Sequence, residues 1–278
     1  MAQAVSTAGA AGTGSQAGGG IGQVPAVRQL KFWLTNYRRT WRGSIFSDLL
    51  NPVLYLGALG LGLGSLVDHH GTARLGGVSY LVFIAPGLLA AGAMQAAIGE
   101  STYPVLGSVK WLKTYFAAIA SPLRPADLFH GHLLFTAMRL CMNSAVFMVV
   151  MAGFGAIHSA WVIAALPAAV LTGLAFATPV EAFAITCQKD TSFAMIFRFG
   201  VIPLFLFSGT FFPVTQLPAF VRPLAYLTPL WHGVALCRSL SLGTAALWPS
   251  AGHAAYLIGV IALGIYAGDK TYRRRLYA

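Results

Sequence analysis

The chain has 278 residues, of which 57% are hydrophobic and only 9% are charged. Soluble domains carry about 25% charged residues and disordered chains are not this apolar, so the composition excludes both classes. The stretches 75–99, 140–180, 199–221 and 239–268 contain no Asp, Glu, Lys or Arg. Each is longer than the roughly 20 residues that a membrane-spanning helix needs. We therefore predict an integral membrane protein with several spans.

The N-terminal part of the chain changes character at residue 25. Residues 1–24 are rich in Ala, Gly and Ser and carry no charge, which predicts a flexible tail. Residues 25–47 are basic, and Leu30, Trp33 and Tyr37 recur among them at helical spacing. A basic helix with an aromatic face is typical of the membrane interface. We predict such an interfacial helix here, and an ordinary basic flank of the first span is the alternative.

Six apolar stretches predict an all-α integral membrane protein with six transmembrane helices, because backbone groups in lipid must hydrogen-bond within their own segment. The predicted spans lie near 49–67, 79–99, 131–153, 161–186, 193–212 and 251–269.

The Lys and Arg residues predict the orientation of these spans. With a cytoplasmic N-terminus, fourteen basic residues fall in inside segments and three, Arg74, Arg222 and Arg238, fall outside. Cytoplasmic loops carry the excess of Lys and Arg in membrane proteins. We therefore predict a multi-pass protein with both termini cytoplasmic. The net charge of +11 reflects this topology and predicts no nucleic-acid partner.

Two connections are too long to be simple turns. The predicted cytoplasmic segment covers 100–130, and the predicted external segment covers 213–250. The external segment is interrupted by prolines yet remains apolar and aromatic, which favours short re-entrant helices in the outer leaflet. A small folded external cap is the alternative.

The cytoplasmic segment begins with a helix signal. Ser101 and Thr102 are good N-caps, and Pro104 suits the first turn. The residues Val105, Val109, Leu112 and Phe116 fall at spacings of four, three and four, which predicts one apolar stripe. Proline cannot continue a helix, so the helix should end before Pro122. Such a helix can lie on the inner leaflet or fit a groove of a partner protein.

The chain lacks the common catalytic signatures. It contains no G-x-x-x-x-G-K-[ST] loop for ATP, no H-E-x-x-H and no G-x-S-x-G. The cysteines Cys141, Cys187 and Cys237 are far apart and indicate neither a disulfide framework nor a metal site. We predict no catalytic residue, no metal and no cofactor bound by this chain.

Two ionisable residues fall inside predicted spans. Arg139 lies in the third span and Glu181 in the fourth, at comparable depth from the same side. Charged groups inside the membrane are costly and often functional. We predict that Arg139 and Glu181 form an intramembrane polar pair, either as a structural lock between the two helices or on a polar transport route.

Several motifs resemble those of ABC-2 type exporter permeases. The most specific is the run Ser208 to Val214 followed by Gln216-Leu217-Pro218. The others are Phe83-Ile84-Ala85-Pro86-Gly87, then Glu100, Tyr103, Gly107 and Lys113-Thr114, and finally Leu227-Thr228-Pro229-Leu230 with Arg238. The resemblance covers roughly 25–278 and is strongest to nodulation-factor (lipo-oligosaccharide) and daunorubicin export permeases.

The resemblance implies one half of a dimeric translocation pathway in a bacterial-type plasma (inner) membrane. A second permease chain, identical or not, and separate ABC ATPase subunits that hold ATP and Mg would complete it. The chain itself would be no enzyme; it would export an amphiphilic substrate such as a lipo-oligosaccharide, a glycolipid or a drug-like lipid out of the membrane lipid. Aromatic and apolar residues of spans one, two and five would line the route.

The resemblance also assigns residues to two regions of the chain. The implied ATPase-coupling residues are Glu100, Tyr103, Pro104, Val105, Leu106, Gly107, Ser108, Val109, Lys110 and Lys113. The implied external gate consists of Ser208, Gly209, Phe211, Phe212, Pro213, Pro229 and Leu230.

The sequence departs from the family pattern within the coupling region. Ser108 stands where arginine is usual, Val109 where a larger apolar residue is usual, and Lys113 where arginine is common. An ion-coupled secondary transporter and an intramembrane enzyme remain alternative functions. The first is typically marked by internal repeats and broken helices, and the second by paired acids or a metal cluster.

Overall fold

We obtained a computed structural model of the chain, which describes residues 25–69, 75 and 77–277. All regular structure in this part of the chain is helical, which agrees with the predicted all-α class. The predicted tail 1–24 and Arg74 lie outside the described residues.

The chain begins with one continuous helical segment of 45 residues, from Pro25 to His69. Helix α1 covers Pro25–Tyr55, wider π-helical turns follow over Leu56–Leu63, and α2 covers Gly64–His69. The predicted interfacial helix 25–47 and the predicted span 49–67 are therefore two parts of one helix. At 1.5 Å per residue it is roughly 68 Å long, about twice the thickness of a bilayer core. An unbroken helix keeps every backbone group bonded where the chain enters lipid.

Four further long helices coincide with predicted spans, and α1 and α2 together make a fifth segment that is long and apolar enough to cross a membrane. These four are α3, Tyr80–Ser101; α6, Pro125–Gly153; α7, Val162–Ala184; and α12, Leu247–Tyr277.

The predicted span 193–212 corresponds to a shorter helical segment. Helix α8, Thr191–Met195, continues through π-helical turns at Ile196–Val201 into α9, Ile202–Phe207. The chain leaves the helix at Ser208, and Gly209 takes a left-handed conformation with φ of 81°. This segment has 17 residues, about 25 Å. A span at this position, and with it the total of six spans, stays a prediction.

The connecting segments contain short helices. Helix α4, Tyr103–Leu106, continues into π-helical turns at Gly107–Trp111, and α5 covers Thr114–Ile119. On the other side a 3-10 turn at Val214–Gln216 precedes α10, Arg222–Tyr226, and α11, Pro229–Leu242. The short helices predicted within 213–250 are present, although the last residues of that range belong to α12. Their depth in the membrane stays a prediction.

Helix α7 lies at the centre of the bundle. It packs against α3, α6, α11 and α12, while α1 packs along α6. Helix α3 is mostly buried, whereas α1 and α12 expose most of their apolar side chains. The outer helices therefore present apolar surface to lipid or to a partner chain.

Small residues allow α12 to approach its neighbours closely. A Cβ atom at Gly264 would collide with Thr178 of α7, and one at Gly268 would collide with Phe129 of α6. Glycines spaced four residues apart commonly permit such close packing of membrane helices. The last helix is thereby fixed against α6 and α7.

Candidate functional site

A cavity of about 470 Å³ lies between α1, α3, α6 and the segment from α8 to α9. Its polar lining residues are Asp48, Asn51, Gln95 and Asn143. The aromatic side chains that face the same space are Tyr55, Phe147, Phe197 and Phe205. Ligand sites commonly combine an apolar, aromatic lining with a few polar groups, so this cavity can hold a molecule that has polar and apolar parts.

Arg139 of α6 organises a partly buried cluster of charges at one end of this cavity. Its Nη1 donates to Oδ2 of Asp48 at 3.0 Å and to the hydroxyl of Tyr37 at 2.9 Å. Its Nε donates to Oε1 of Glu100 at 3.1 Å. The guanidinium also lies over the ring of Tyr37, 4.8 Å from the centroid. This cluster, which we call the Arg139 cluster, joins α1, α3 and α6 through one side chain.

The predicted pair of Arg139 with Glu181 is wrong. Oε1 of Glu181 lies 3.0 Å from Nδ1 of His132 and accepts a 2.8 Å hydrogen bond from the hydroxyl of Tyr272. His132 and Arg139 are seven residues apart on α6, which is about 10 Å along the helix axis. Glu181 is level with His132, so this two-turn offset gives each charge its own partners.

The group of Glu181, His132 and Tyr272, which we call the Glu181 cluster, has no exposed surface. It joins α7, α6 and α12. Oε2 of Glu181 and Nε2 of His132 have no hydrogen-bond partner among the described residues. A carboxylate in such a place depends strongly on the two partners it has, because an unpaired buried charge costs several kcal/mol.

Aromatic contacts connect the Glu181 cluster to two other parts of the chain. The ring of Trp33 in α1 stacks on His132 with centroids 4.4 Å apart and an interplanar angle of 25°. The ring of Tyr115 in α5 lies 6.0 Å from that of Tyr272. Burial, and after it the charge of Glu181, raises the pKa of Tyr115, so its hydroxyl stays protonated. The N-terminal helix and the connecting segment after α3 therefore meet at one buried point.

The segment 103–113 is buried in its middle and exposed at its two ends. The residues from Val105 to Val109 are buried, including Gly107 and Ser108, and the hydroxyl of Ser108 donates to the carbonyl of Pro104 at 2.8 Å. Tyr103, Lys110 and Lys113 are exposed, and Pro104 is half-buried. Of the predicted ATPase-coupling residues in this segment, these exposed ones alone are available to a partner.

The predicted apolar stripe of this segment is wrong beyond Val109. Leu112 and Phe116 are 69% and 40% exposed, respectively. The helix stops because Lys113 adopts a left-handed conformation with φ of 52°, which turns the chain away from the stripe. The buried apolar residue after this turn is Tyr115 instead.

The predicted external gate residues lie at two connected turns. Ser208, Gly209 and Leu230 are buried, and Gly209 makes the turn. The remaining members are half-buried; they are Phe211, Phe212, Pro213 and Pro229. The hydroxyl of Ser208 lies 3.3 Å from that of Thr228, the N-cap of α11. The structure thus brings the two halves of the predicted gate together.

Arg238 of α11 fixes the turn after α9 to α3. Its Nε donates to the carbonyl of Phe83 at 3.1 Å, and its Nη2 donates to the carbonyls of Gly209 at 2.8 Å and Thr210 at 3.3 Å. Cations are favoured where helix carbonyls are left unpaired. A Cβ at Gly87 of α3 would lie 2.9 Å from the carbonyl oxygen of Thr210, so the contact also requires glycine there.

The site residues that sequence reasoning missed include Asp48, His132 and Tyr272. A polar stripe on α6 was the available signal, because its members recur at spacings of four, three and four within an apolar helix and are all buried. They are His132, Thr136, Arg139 and Asn143. No comparable pattern marks Asp48 or Tyr272, whose roles depend on contacts between distant helices.

Comparison with known proteins places these features in a family. Residues 28–242 match the family model described as ABC-2 type transporter. Nodulation protein J of Rhizobium leguminosarum bv. viciae is 32% identical over 229 residues, which cover 81% of this chain and 86% of the relative. Nodulation protein J of Rhizobium leguminosarum bv. trifolii is 31% identical over 254 residues, which cover 90% and 95%. The protein of the same name from Rhizobium meliloti is 30% identical over 221 residues, which cover 76% and 82%.

Proposed function

The chain belongs to the ABC-2 type transporter membrane family, and from this premise we propose that it is the transmembrane permease subunit of an ATP-driven exporter. Its substrate is an amphiphile of the lipo-oligosaccharide or glycolipid type, moved from the cytoplasmic side outward. The single observation that carries this proposal is the cavity between α1, α3, α6 and α8–α9, because its lining combines polar groups with aromatic rings. Such a lining suits a molecule with a polar headgroup and an acyl chain.

Separate ABC ATPase subunits supply the energy in this proposal. The exposed ends of the segment 103–113 offer them a docking site, with Tyr103 at one end and Lys110 and Lys113 at the other. The buried middle of the same segment packs on the bundle, so movement of the ATPase would be passed to α5 and α12. The chain acts as a transport subunit and contributes no catalytic residue.

The proposed working unit contains two permease chains, identical or different, in the plasma membrane. Both termini are cytoplasmic, and the segment Thr191–Phe207 completes six spans in each chain. The exposed apolar faces of α1 and of the segment from α8 to α9 supply surface for this pairing or for lipid, with Leu54, Leu61 and Phe199 among their most exposed side chains.

An export assay tests this function. The tagged full-length chain is expressed with its candidate ATPase, and uptake of a fluorescent lipo-oligosaccharide is measured in inverted vesicles. We expect co-purification of the two subunits and uptake that requires ATP hydrolysis. An ATPase variant without its phosphate-binding lysine is the matched control. Uptake by this control at the normal rate would contradict the proposal.

An ion-coupled transporter is the second candidate, because the Glu181 cluster places ionisable side chains fully inside the bundle. Such groups often mark ion or proton pathways in membrane proteins. In that case a protonophore would abolish transport and the ATPase would be dispensable. The same vesicles decide between the two functions. Loss of uptake with a protonophore, at constant ATP, would favour the ion-coupled mechanism.

A further inference from the structure

We propose that the cavity and a second, interfacial crevice are two stations of one headgroup path, that the Arg139 cluster is the closed partition between them, and that the cavity selects headgroups without negative charge. This inference rests on the proposed export function and adds an entry route and a charge rule to it.

The crevice has a volume of about 400 Å³ and lies between α1, α3 and α6. Its lining from α1 includes Trp33, Asn36 and Ser44, and Glu100 and Phe135 face it from α3 and α6. It therefore lies against the basic, aromatic part of α1 that was predicted to lie at the membrane interface.

The crevice and the cavity follow each other in the same order on two helices. On α6, Phe135 lines the crevice and Asn143 lines the cavity, and Arg139 lies midway between them. On α1, Ser44 lines the crevice, and the cavity lining begins at Asp48. Four residues are one helical turn, about 6 Å, so the two spaces meet at the level of Arg139.

Helix α3 shows the same order at closer spacing. Glu100 lines the crevice, and its chain neighbour Gly99 lines the cavity. The two carboxylates that bind Arg139 thus belong to different spaces, Asp48 to the cavity and Glu100 to the crevice. A single guanidinium bonded to both closes the boundary, and separating these groups would join the two spaces.

The charges of the lining determine which headgroups can use this path. Among the described residues that line the cavity, Asp48 is the only charged one, and the other polar groups are amides and the hydroxyl of Tyr55. The two carboxylates of the Arg139 cluster outnumber its one cation. In the cavity, a phosphate or sulfate headgroup would meet the carboxylate of Asp48 with no cation among the described lining residues to receive it, and burial of unpaired charge is costly. The crevice differs, because Arg39 lines it together with Glu100. Headgroups rich in hydroxyl and amide groups can instead donate to Asp48 and exchange hydrogen bonds with Asn51, Gln95 and Asn143.

Cysteine accessibility in vesicles tests the partition. The native residues Cys141, Cys187 and Cys237 are replaced by Ser or Ala, and single reporters are placed as Asn36→Cys in the crevice and Gln95→Cys in the cavity. A membrane-impermeant maleimide is applied to each face in turn. We expect Asn36→Cys to be labelled from one face, and Gln95→Cys to be labelled from that face at least ten times more slowly.

Opening the Arg139 cluster should remove this difference. Arg139→Gln is expected to raise the rate at Gln95→Cys about tenfold and to leave the rate at Asn36→Cys unchanged. Arg198→Gln, the same change at an exposed arginine, is the matched control. If Arg139→Gln is not monodisperse by size exclusion, Glu100→Gln replaces it, with an expected rise of at least threefold. Equal rates at Gln95→Cys in the parent and in the folded variant would overturn the partition.

A competition experiment tests the charge rule on the intact cluster, with each probe incubated to equilibrium beforehand because the closed partition slows entry into the cavity. Labelling of Gln95→Cys by N-ethylmaleimide, which crosses lipid, is measured with dodecyl N-acetylglucosaminide or with dodecyl phosphate. We expect the glycoside to slow labelling at least threefold and the phosphate to leave the rate unchanged, and Asp48→Asn should narrow this difference. Equal protection by both probes would overturn the charge rule. Neither experiment uses ATP or transport, so failure of the export function would appear in the uptake assay alone.

Discussion

The hydroxyl of Tyr272 on α12 donates a 2.8 Å hydrogen bond to Oε1 of Glu181 on α7, and neither side chain has exposed surface. The two residues are 91 positions apart in the sequence, and their hydrogen bond joins α7 to α12 at an ionisable group inside the bundle. The second partner of this carboxylate, His132, is covered by the ring of Trp33. This arrangement makes the Glu181 cluster a sensitive point for stability.

Removal of the Tyr272 hydroxyl should destabilise the protein. Tyr272→Phe leaves Glu181 with His132 as its remaining partner, and loss of one partner of a buried polar group costs about 1–3 kcal/mol. We expect a lower midpoint of thermal unfolding in detergent. Tyr266→Phe, on the same helix at a position that is 69% exposed, is the control and should change little. Equal midpoints for the two variants would contradict this role of the hydroxyl.

Arg139→Ala should lower the yield of folded protein, because it leaves the partly buried carboxylates of Asp48 and Glu100 without their cation. Breaking a fully buried ion pair costs about 3–5 kcal/mol, and the partial exposure of these carboxylates lowers that cost here. We expect partial recovery when Asp48→Asn and Glu100→Gln are added, measured as the monodisperse fraction by size exclusion. Addition of Glu181→Ala is the control and should give no recovery. Recovery with Glu181→Ala instead would support the predicted pair of Arg139 with Glu181, which the structure does not show.

The exposed ends of the segment 103–113 should contact the ATPase, and its buried middle should not. In a background without native cysteines, Lys110→Cys and Lys113→Cys are treated with short bifunctional crosslinkers in the purified complex. We expect a link to the ATPase whose yield changes with ATP binding. Ser108→Cys is the matched control, because Ser108 is only 3% exposed. Links from Ser108→Cys but not from the two lysine positions would show that the ATPase contacts the middle of the segment instead of its exposed end.

Gly87→Ala should loosen the predicted external gate. The added Cβ would lie 2.9 Å from the carbonyl oxygen of Thr210 and 3.0 Å from Nη2 of Arg238, so this turn would have to move away from α3. We expect a lower unfolding midpoint. Gly99→Ala on the same helix has no atom within 4 Å of its Cβ and should be neutral or stabilising by up to about 1 kcal/mol. A higher midpoint for Gly87→Ala would show that the turn is not held there.

The external segment should be partly embedded in the membrane. Leu224 of α10 is 66% exposed in the isolated chain, and Thr244 is also exposed, beyond the end of α11. If α10 dips into lipid, a membrane-impermeant thiol reagent should label Thr244→Cys several times faster than Leu224→Cys. A permeant reagent, which should label both, serves as the control. Uniformly fast labelling from Thr215 to Ser250 would instead indicate a cap in water.

The sequence alone determined the class of the protein and the positions of its long helices. Charge-free apolar runs can only be helices in lipid, since their backbone groups have no other partner there. The same rule explains why 79–99, 161–186 and most of 131–153 were predicted to within a few residues at one or both ends. The predicted boundary near residue 48, between the interfacial helix and the first span, is absent because one helix runs through it. A helix that leaves the membrane need not stop where its side chains become polar.

Only the tertiary structure decided the partners of the buried charges. Arg139 and Glu181 lie within two of the long apolar helices, α6 and α7, but their relative depth depends on the register of α6 against α7. An offset of two turns, about 10 Å, is larger than the reach of an ion pair. Asp48, Glu100, His132 and Tyr272 reach these charges from helices far apart in sequence. Local spacing cannot encode that choice, because it results from how the helices pack.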